Sequence, residues 1–224
     1  ELTDRGDARE IINSVSPVCL ELANEILREA EAEFGDIDRS ILFPIADHLD
    51  FAIRRLQRGE QISNPLTEDI RILFYKEYKV AGCIAPMLKE KFQIELDEHE
   101  TGYIALHVHS AIVDEKVSQA MEIARTVREC ISLVEKETGN SIDVMSLAYN
   151  RLMNHVRYMV ARAIHGEKLK MNLNDYMSVK FPEAFHASER ICREMEKRLG
   201  LPMPDIEIGY LAMHLERMLD SETE

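Results

Sequence analysis

The chain has 224 residues, 46% of them hydrophobic and 30% charged, and its formal net charge at pH 7 is −14. This acidity argues against direct binding of nucleic acid or of an anionic membrane surface, because both are bound through clustered cations. No apolar run approaches the ~20 residues of a membrane-spanning helix, no signal-peptide pattern is present, and four cysteines without a CxxC motif favour a reduced, cytoplasmic protein.

Helix start and stop signals recur along the first half of the chain. Proline at the first helical position and glycine just after the last one are typical boundaries, and the stretch from Asp97 to Glu100 has the spacing of a capping box. We predict helices, in chain order, at Pro17–Phe34, at about Ser40–Arg58, from Thr67, at about Val80–Phe92, and after Asp97.

The second half of the chain repeats the first at a constant offset. The segment Asp47–Phe51 corresponds to Asn154–Tyr158, and Gly102–His107 corresponds to Gly209–His214, in both cases 107 residues later. Such self-similarity indicates a tandem duplication. The predicted helices from the second onward therefore have counterparts in the second half.

The first helix has its counterpart in Gln119–Glu137, where apolar residues recur at spacings of three and four. The polar segment Asp114–Lys116 is then the linker between the two copies. The fold class that we expect is all-α, with two tandem homologous five-helix bundles. The predicted domains are residues 1–115 and residues 116–224.

Each copy retains two histidines on the apolar side of their helices. His48 is three residues after Ile45 and four before Ala52, and the other three have apolar neighbours at similar spacings. We predict that all four are half-buried and that the two of each copy face a shared cleft or interface. The histidines that have no counterpart are assigned to the surface or to helix caps, and they are His99, His109, His165 and His186.

Paired histidines are open to three chemistries, of which two have little support in the sequence. A metal-binding pair on a helix usually lies at i, i+4 with a carboxylate, whereas Asp47 beside His48 is replaced by Asn154 beside His155. Acid–base catalysis would need companions, but no Ser or Cys nucleophile motif and no Gly-rich phosphate loop accompany the histidines. We therefore expect no metal, no cofactor and no catalytic residue.

The third chemistry is phosphoryl acceptance. The predicted acceptors are His48, His107, His155 and His214. A neutral imidazole is a good nucleophile near pH 7, and phosphorylation would add about two negative charges at a helix interface. Arg55 and Arg162 each lie seven residues after the first histidine of their copy, nearly on the same face, and are candidate supports for the phosphate. Asp47 and Asn154, directly before those histidines, are the other candidate supports.

At these residues the chain resembles the duplicated PTS regulation domains of bacterial transcriptional antiterminators of the BglG/LicT type. The resemblance covers nearly the whole chain and is specific in spacing and order. The matching segments are Ala46–Ile53, Asn64–Leu66, Asp97–His107 and Glu207–Arg217. The resemblance implies that His48 and His107 are the phosphorylatable pair of the first module, and that His155 and His214 are that of the second.

The resemblance implies a regulator of transcription antitermination and not an enzyme. In such proteins the sugar-specific permease (Enzyme II of the phosphotransferase system) represses through the first module, whereas the phosphocarrier HPr commonly phosphorylates the second and promotes the active homodimer. RNA is bound by a separate N-terminal domain, and the start at Glu1 without Met leads us to expect a piece of a longer protein. We also expect no membrane insertion.

Three other interpretations stay open. The same modules occur in DNA-binding transcriptional activators. In a different class of protein, the histidine pairs would belong to a metal-dependent hydrolase. A purely structural helical repeat would keep the histidines as hydrogen-bonded core residues.

Overall fold

The computed structural model describes residues 15–113, 116–139, 142, 146–200 and 202–220. Every regular element in these residues is a helix, which confirms the all-α prediction. The chain divides into two compact units, one ending at Met121 and the other beginning at Glu122. The domain limit at residues 115 and 116 remains a prediction, and Asp114 and Glu115 of the predicted linker lie outside the described residues.

The first unit is built around its last helix. Its helices are α1 (Pro17–Phe34), α2 (Leu42–Gln57), α3 (Thr67–Leu73), α4 (Tyr75–Ala81), α5 (Ala85–Phe92) and α6 (Glu98–Ile112), with 3-10 turns at Arg39–Ile41 and Gly82–Ile84. Helix α1 packs against α2, and α6 packs against α2, α3 and α4. The central place of α6 follows from its composition, because a helix that is apolar on most sides is buried on most sides.

The predicted helix Val80–Phe92 begins earlier and is broken. Helix α4 starts at Tyr75 and ends at Ala81, and after the turn at Gly82–Ile84 the chain continues as α5. Pro86 lies in the first turn of α5, where its missing N–H costs nothing. In an unbroken helix its ring would clash with the carbonyl four residues earlier, at Gly82, so the break has a local cause.

The second unit repeats this arrangement with fewer interruptions. Its helices are α7 (Val117–Thr138), which begins shortly before the unit does, α8 (Leu147–His165), α9 (Asn174–Lys180), α10 (Pro182–Leu199) and α11 (Ile206–Asp220). Helix α11 packs against α8, α9 and α10. Helix α10 corresponds to α4 and α5 together and runs without a break, because Arg193 occupies the position equivalent to Pro86. In the described part of the chain, no helix is long and apolar enough to cross a membrane.

Candidate functional site

The structure brings the two predicted histidines of each unit into contact. In the first unit, His48 on α2 and His107 on α6 have ring centroids 5.7 Å apart with planes inclined by 52°. In the second unit, His155 on α8 and His214 on α11 stack with centroids 4.5 Å apart and planes inclined by 22°. The pairing arises because each helix carries its histidine on the stripe that packs against the other helix.

Burial keeps three of the four imidazoles neutral. Burial, and secondarily the charge of His48, lowers the pKa of His107 to about 3. Burial, followed by the charges of His214 and Arg162, lowers the pKa of His155 to about 3. The pKa of His214 is also lowered, by burial and then by the nearby Arg217 and Arg151. A neutral imidazole keeps a nitrogen lone pair, so these rings are nucleophiles at neutral pH.

A buried glutamate completes the site of the first unit. Glu100, in the first turn of α6, is fully buried. Its Oε2 lies 2.9 Å from Nε2 of His48, and its Oε1 accepts a hydrogen bond of 2.5 Å from Nη2 of Arg55. Burial alone would raise the pKa of Glu100, but the hydrogen bonds and charges of His48 and Arg55 together hold it below its usual value. The carboxylate is therefore ionised and acts only as an acceptor.

The equivalent acid in the second unit is held differently. Glu207 is 1% exposed and accepts two parallel hydrogen bonds from Arg162, of 2.7 Å from Nε to Oε1 and 2.8 Å from Nη2 to Oε2. This fork geometry uses one hydrogen bond on each carboxylate oxygen. Within the described residues, Nε2 of His155 is buried without a hydrogen-bond partner. The same three positions thus adopt two different bonding patterns.

The candidate supports named from the sequence are placed as follows. Arg55 and Arg162 each form an ion pair with the buried glutamate of their unit. Asp47 is half-buried, and burial, followed by the charge of the nearby Asp50, raises its pKa. Asn154 is exposed, and its Nδ2 donates a 2.9 Å hydrogen bond to the carbonyl of residue 150, one turn earlier in α8. The arginines are therefore part of the buried site, whereas Asn154 lies at its edge.

Sequence reasoning did not identify the two glutamates as site residues. Glu100 and Glu207 are 107 positions apart, as are their partners Arg55 and Arg162. A glutamate and an arginine that are both retained 107 residues later would have indicated that the two side chains interact. The capping-box spacing accounted for Glu100 as a residue of the helix start. For this reason no partner was sought for it, although Arg55, 45 residues earlier, donates a hydrogen bond to it.

The assignment of His109 to the surface or a cap is wrong. His109 is 4% exposed, its Nδ1 lies 2.9 Å from Oε1 of Glu77, and its ring centroid is 4.5 Å from that of Phe74. The reason is that α4 covers the side of α6 opposite His107, so no face at this point of α6 is left to solvent.

The other unpaired histidines fit their assignments where they are described. His99 lies in the first turn of α6, and its Nδ1 is 2.7 Å from the hydroxyl of Thr67. His186 is exposed. The side chain of His165 lies outside the described part of the structure. Among the described residues, no three His, Cys, Asp or Glu side chains are grouped so that they could hold a metal ion.

Comparison with known proteins matches both halves of the chain to one family. The model of the PRD domain matches residues 10–111 and 128–218. Transcription antiterminator LicT of Bacillus subtilis (strain 168) is 28% identical over 205 residues, which are 90% of this chain and 74% of LicT. Protein GlcT of Staphylococcus saprophyticus is 25% identical over 213 residues, 90% of this chain and 76% of that protein. The beta-glucoside operon antiterminator of Dickeya chrysanthemi is 24% identical over 222 residues, 97% of this chain and 78% of that protein.

Proposed function

Because the chain belongs to the PRD domain family, with one match in each half, we propose that it is the regulatory region of a transcription antiterminator whose paired histidines accept phosphoryl groups. The observation that carries the proposal is the contact between two histidines in each unit, His48 with His107 and His155 with His214. The antiterminator names of similar proteins favour this function over a DNA-binding activator.

The electrostatics of the site support phosphoryl acceptance. Rings that stay neutral keep a nucleophilic nitrogen, and His107, His155 and His214 are such rings because their pKa values are lowered. On His48, a phosphoryl group would bring about −1.5 to −2 charges close to the buried carboxylate of Glu100. Repulsion from that carboxylate would then favour a rearranged packing in which an arginine pairs with the phosphate.

The remaining parts of the proposal come from the family. We propose that the donors are HPr and a sugar-specific permease, and that phosphorylation controls homodimer formation by a cytoplasmic protein. We propose that binding of RNA belongs to a separate N-terminal domain, as the resemblance implies. The chain itself spans about three quarters of LicT. The region itself would act as a substrate of phosphotransfer and not as an enzyme, with no cofactor.

Phosphate uptake tests the proposal directly. The protein is incubated with phosphorylated HPr and, separately, with a phosphorylated permease domain, and incorporation is followed by intact mass. We expect uptake by the natural protein and loss of uptake when His48, His107, His155 and His214 are all changed to Ala. His186→Ala removes an exposed histidine outside the pairs and should leave uptake unchanged. Unchanged uptake by the quadruple variant would contradict the proposal.

A further inference from the structure

The hydrogen bond between His48 and Glu100 determines which ring nitrogen carries the proton. Nε2 of His48 lies 2.9 Å from Oε2 of Glu100. An ionised carboxylate has no hydrogen to donate, so Nε2 must be the donor in this bond. In the neutral imidazole, the other nitrogen, Nδ1, then holds the lone pair.

The two side chains differ in burial. The side chain of His48 is 15% exposed, whereas that of Glu100 is 1% exposed. Nε2 of His48 is engaged with the buried carboxylate. Nδ1 is therefore the ring nitrogen whose lone pair is left to attack a phosphoryl group.

Building on the function proposed above, we propose that Nδ1 of His48 is the phosphoryl-accepting atom of the first unit, and that Glu100 is the positioning residue that selects it. Glu100 does so by keeping the hydrogen on Nε2. The negative charge of Glu100 also stabilises the positive charge that the imidazole ring acquires when Nδ1 bonds to phosphorus.

In the transfer step, the phosphoryl donor is a phosphorylated imidazole. The lone pair of Nδ1 attacks phosphorus and forms the new N–P bond, while the N–P bond of the donor breaks and its electron pair returns to the donor nitrogen. The donor nitrogen takes a proton from solvent. The hydrogen on Nε2 of His48 stays in the bond to Glu100, whose negative charge balances the positive ring.

The second unit lacks this selection. Arg162 occupies both carboxylate oxygens of Glu207, and in the described residues Nε2 of His155 has no hydrogen-bond partner. Glu207 therefore does not determine the position of the proton on His155. The choice of nitrogen by a carboxylate is a property of the first unit.

Nuclear magnetic resonance of the protein labelled with ¹⁵N-histidine tests the inference in two steps. In the unphosphorylated protein at neutral pH, the neutral form of His48 should carry its hydrogen on Nε2. After phosphorylation, the phosphorus coupling of His48 should appear at Nδ1. A neutral His48 with its hydrogen on Nδ1, or a phosphate on Nε2, would overturn the inference.

Matched variants separate positioning from folding. Glu100→Gln keeps the size of the side chain but can either donate or accept, so it should abolish the preference for Nε2–H and slow phosphate uptake at His48 by about tenfold or more. Glu207→Gln makes the same change in the second unit and should leave the proton of His48 on Nε2. If E100Q does not fold, the two measurements on the natural protein still decide.

Failure of this inference is distinguishable from failure of the proposed function. Phosphate on the other paired histidines with none on His48 would overturn the inference and leave the proposed function in place. Phosphate on none of the histidines would overturn the proposed function, and the inference with it.

Discussion

His48 and His155 occupy equivalent positions but have different neighbours. His48 is bonded to a buried carboxylate, whereas His155 is stacked on His214 and has a buried, unpartnered nitrogen within the described residues. The difference arises from one arginine, since Arg162 takes both oxygens of its glutamate and Arg55 takes one. Under the proposed function, different donors phosphorylate the two units, and a difference in the surroundings of the two histidines is then expected.

The buried histidines should make folding sensitive to mild acid. Unfolded histidines take up protons below about pH 6.5, whereas folded His107 and His155 stay neutral until about pH 3. Protonation therefore favours the unfolded chain: the stabilisation is complete above pH ~6.5 and is lost as the pH falls toward 3. Between pH 7.5 and 5.5 we expect a loss of about 1.4 kcal/mol per histidine in the free energy of unfolding.

Urea denaturation at pH 7.5 and 5.5 measures this loss. The variant His107→Gln should show a smaller difference between the two pH values than the natural protein. The variant His186→Gln removes an exposed histidine and should show the full difference. Equal stability of the natural protein at both pH values would contradict the expectation.

The two arginines should differ in their contribution to stability. Arg162→Ala leaves Glu207, which is 1% exposed, without the two hydrogen bonds that it accepts from this arginine. We expect a loss of about 3–5 kcal/mol in the free energy of unfolding, because a buried charge loses its partner. Arg55→Ala should cost less, since His48 remains bonded to Glu100.

Thermal or urea denaturation of both variants checks whether Arg162→Ala lowers the free energy of unfolding more than Arg55→Ala does. Arg190→Ala removes an ion pair to Glu137 in which both side chains are partly exposed, and it should cost no more than about 1 kcal/mol. An equal cost for the Arg55 and Arg162 variants would show that the two bonding patterns are energetically the same.

At the scale of the elements, the starts of α6 and α11 approach their neighbours at different distances. A β-carbon built on Gly102 would lie 3.8 Å from Cγ2 of Ile70, an ordinary contact. A β-carbon on the equivalent Gly209 would lie 2.7 Å from Oδ1 and 2.9 Å from the backbone nitrogen of Asn174. Oδ1 of Asn174 accepts a hydrogen bond from the backbone nitrogen of Gly209, which draws α9 and α11 together at this point.

The same substitution should therefore have opposite effects at the two glycines. Gly102→Ala should be neutral or raise the free energy of unfolding by up to ~1 kcal/mol, because alanine is the better helix former. Gly209→Ala should lower it by about 1–3 kcal/mol, because α9 must move to relieve the overlap. Denaturation curves of the two variants check the signs. Similar effects of both variants would contradict the close approach of α9.

At the scale of the whole molecule, the duplication provides two similar units, which receive separate signals under the proposed function. Each unit has a histidine pair and a buried glutamate, and the formal charge of the chain is −14 before any phosphate is added. Added phosphates increase the repulsion between like-charged copies, so any dimer must form through specific contacts. Under the proposed function, regulation through self-association would then be a balance between the effects of the two units.

Sedimentation velocity before and after phosphorylation tests this balance. Under the proposed function, phosphorylation by HPr should strengthen dimerisation, and phosphorylation by the permease should weaken it, each by about 5- to 150-fold in the dissociation constant. The double variant His155→Ala, His214→Ala should remove the first response and keep the second. The double variant His48→Ala, His107→Ala should do the reverse. Dissociation constants that do not change on phosphorylation would contradict control through dimerisation.

The sequence by itself determined the helical class, the tandem repeat and the histidine pairs. These features depend on local periodicity and on comparison of one half with the other, which need no knowledge of distant contacts. Helical spacing placed His48 and His107 on packing faces, and the structure brings their rings into contact. The break at Gly82–Ile84 also had a local cause in Pro86, although the prediction began that helix too late.

Only the tertiary structure decided which groups surround the histidines. Glu100 meets a histidine 52 residues earlier and an arginine 45 residues earlier, and His109 meets Glu77 on another helix. The position of the proton on His48 follows from the first of these contacts. Spacing within one helix cannot reveal such properties, because they depend on which side chains other helices bring to the same buried place.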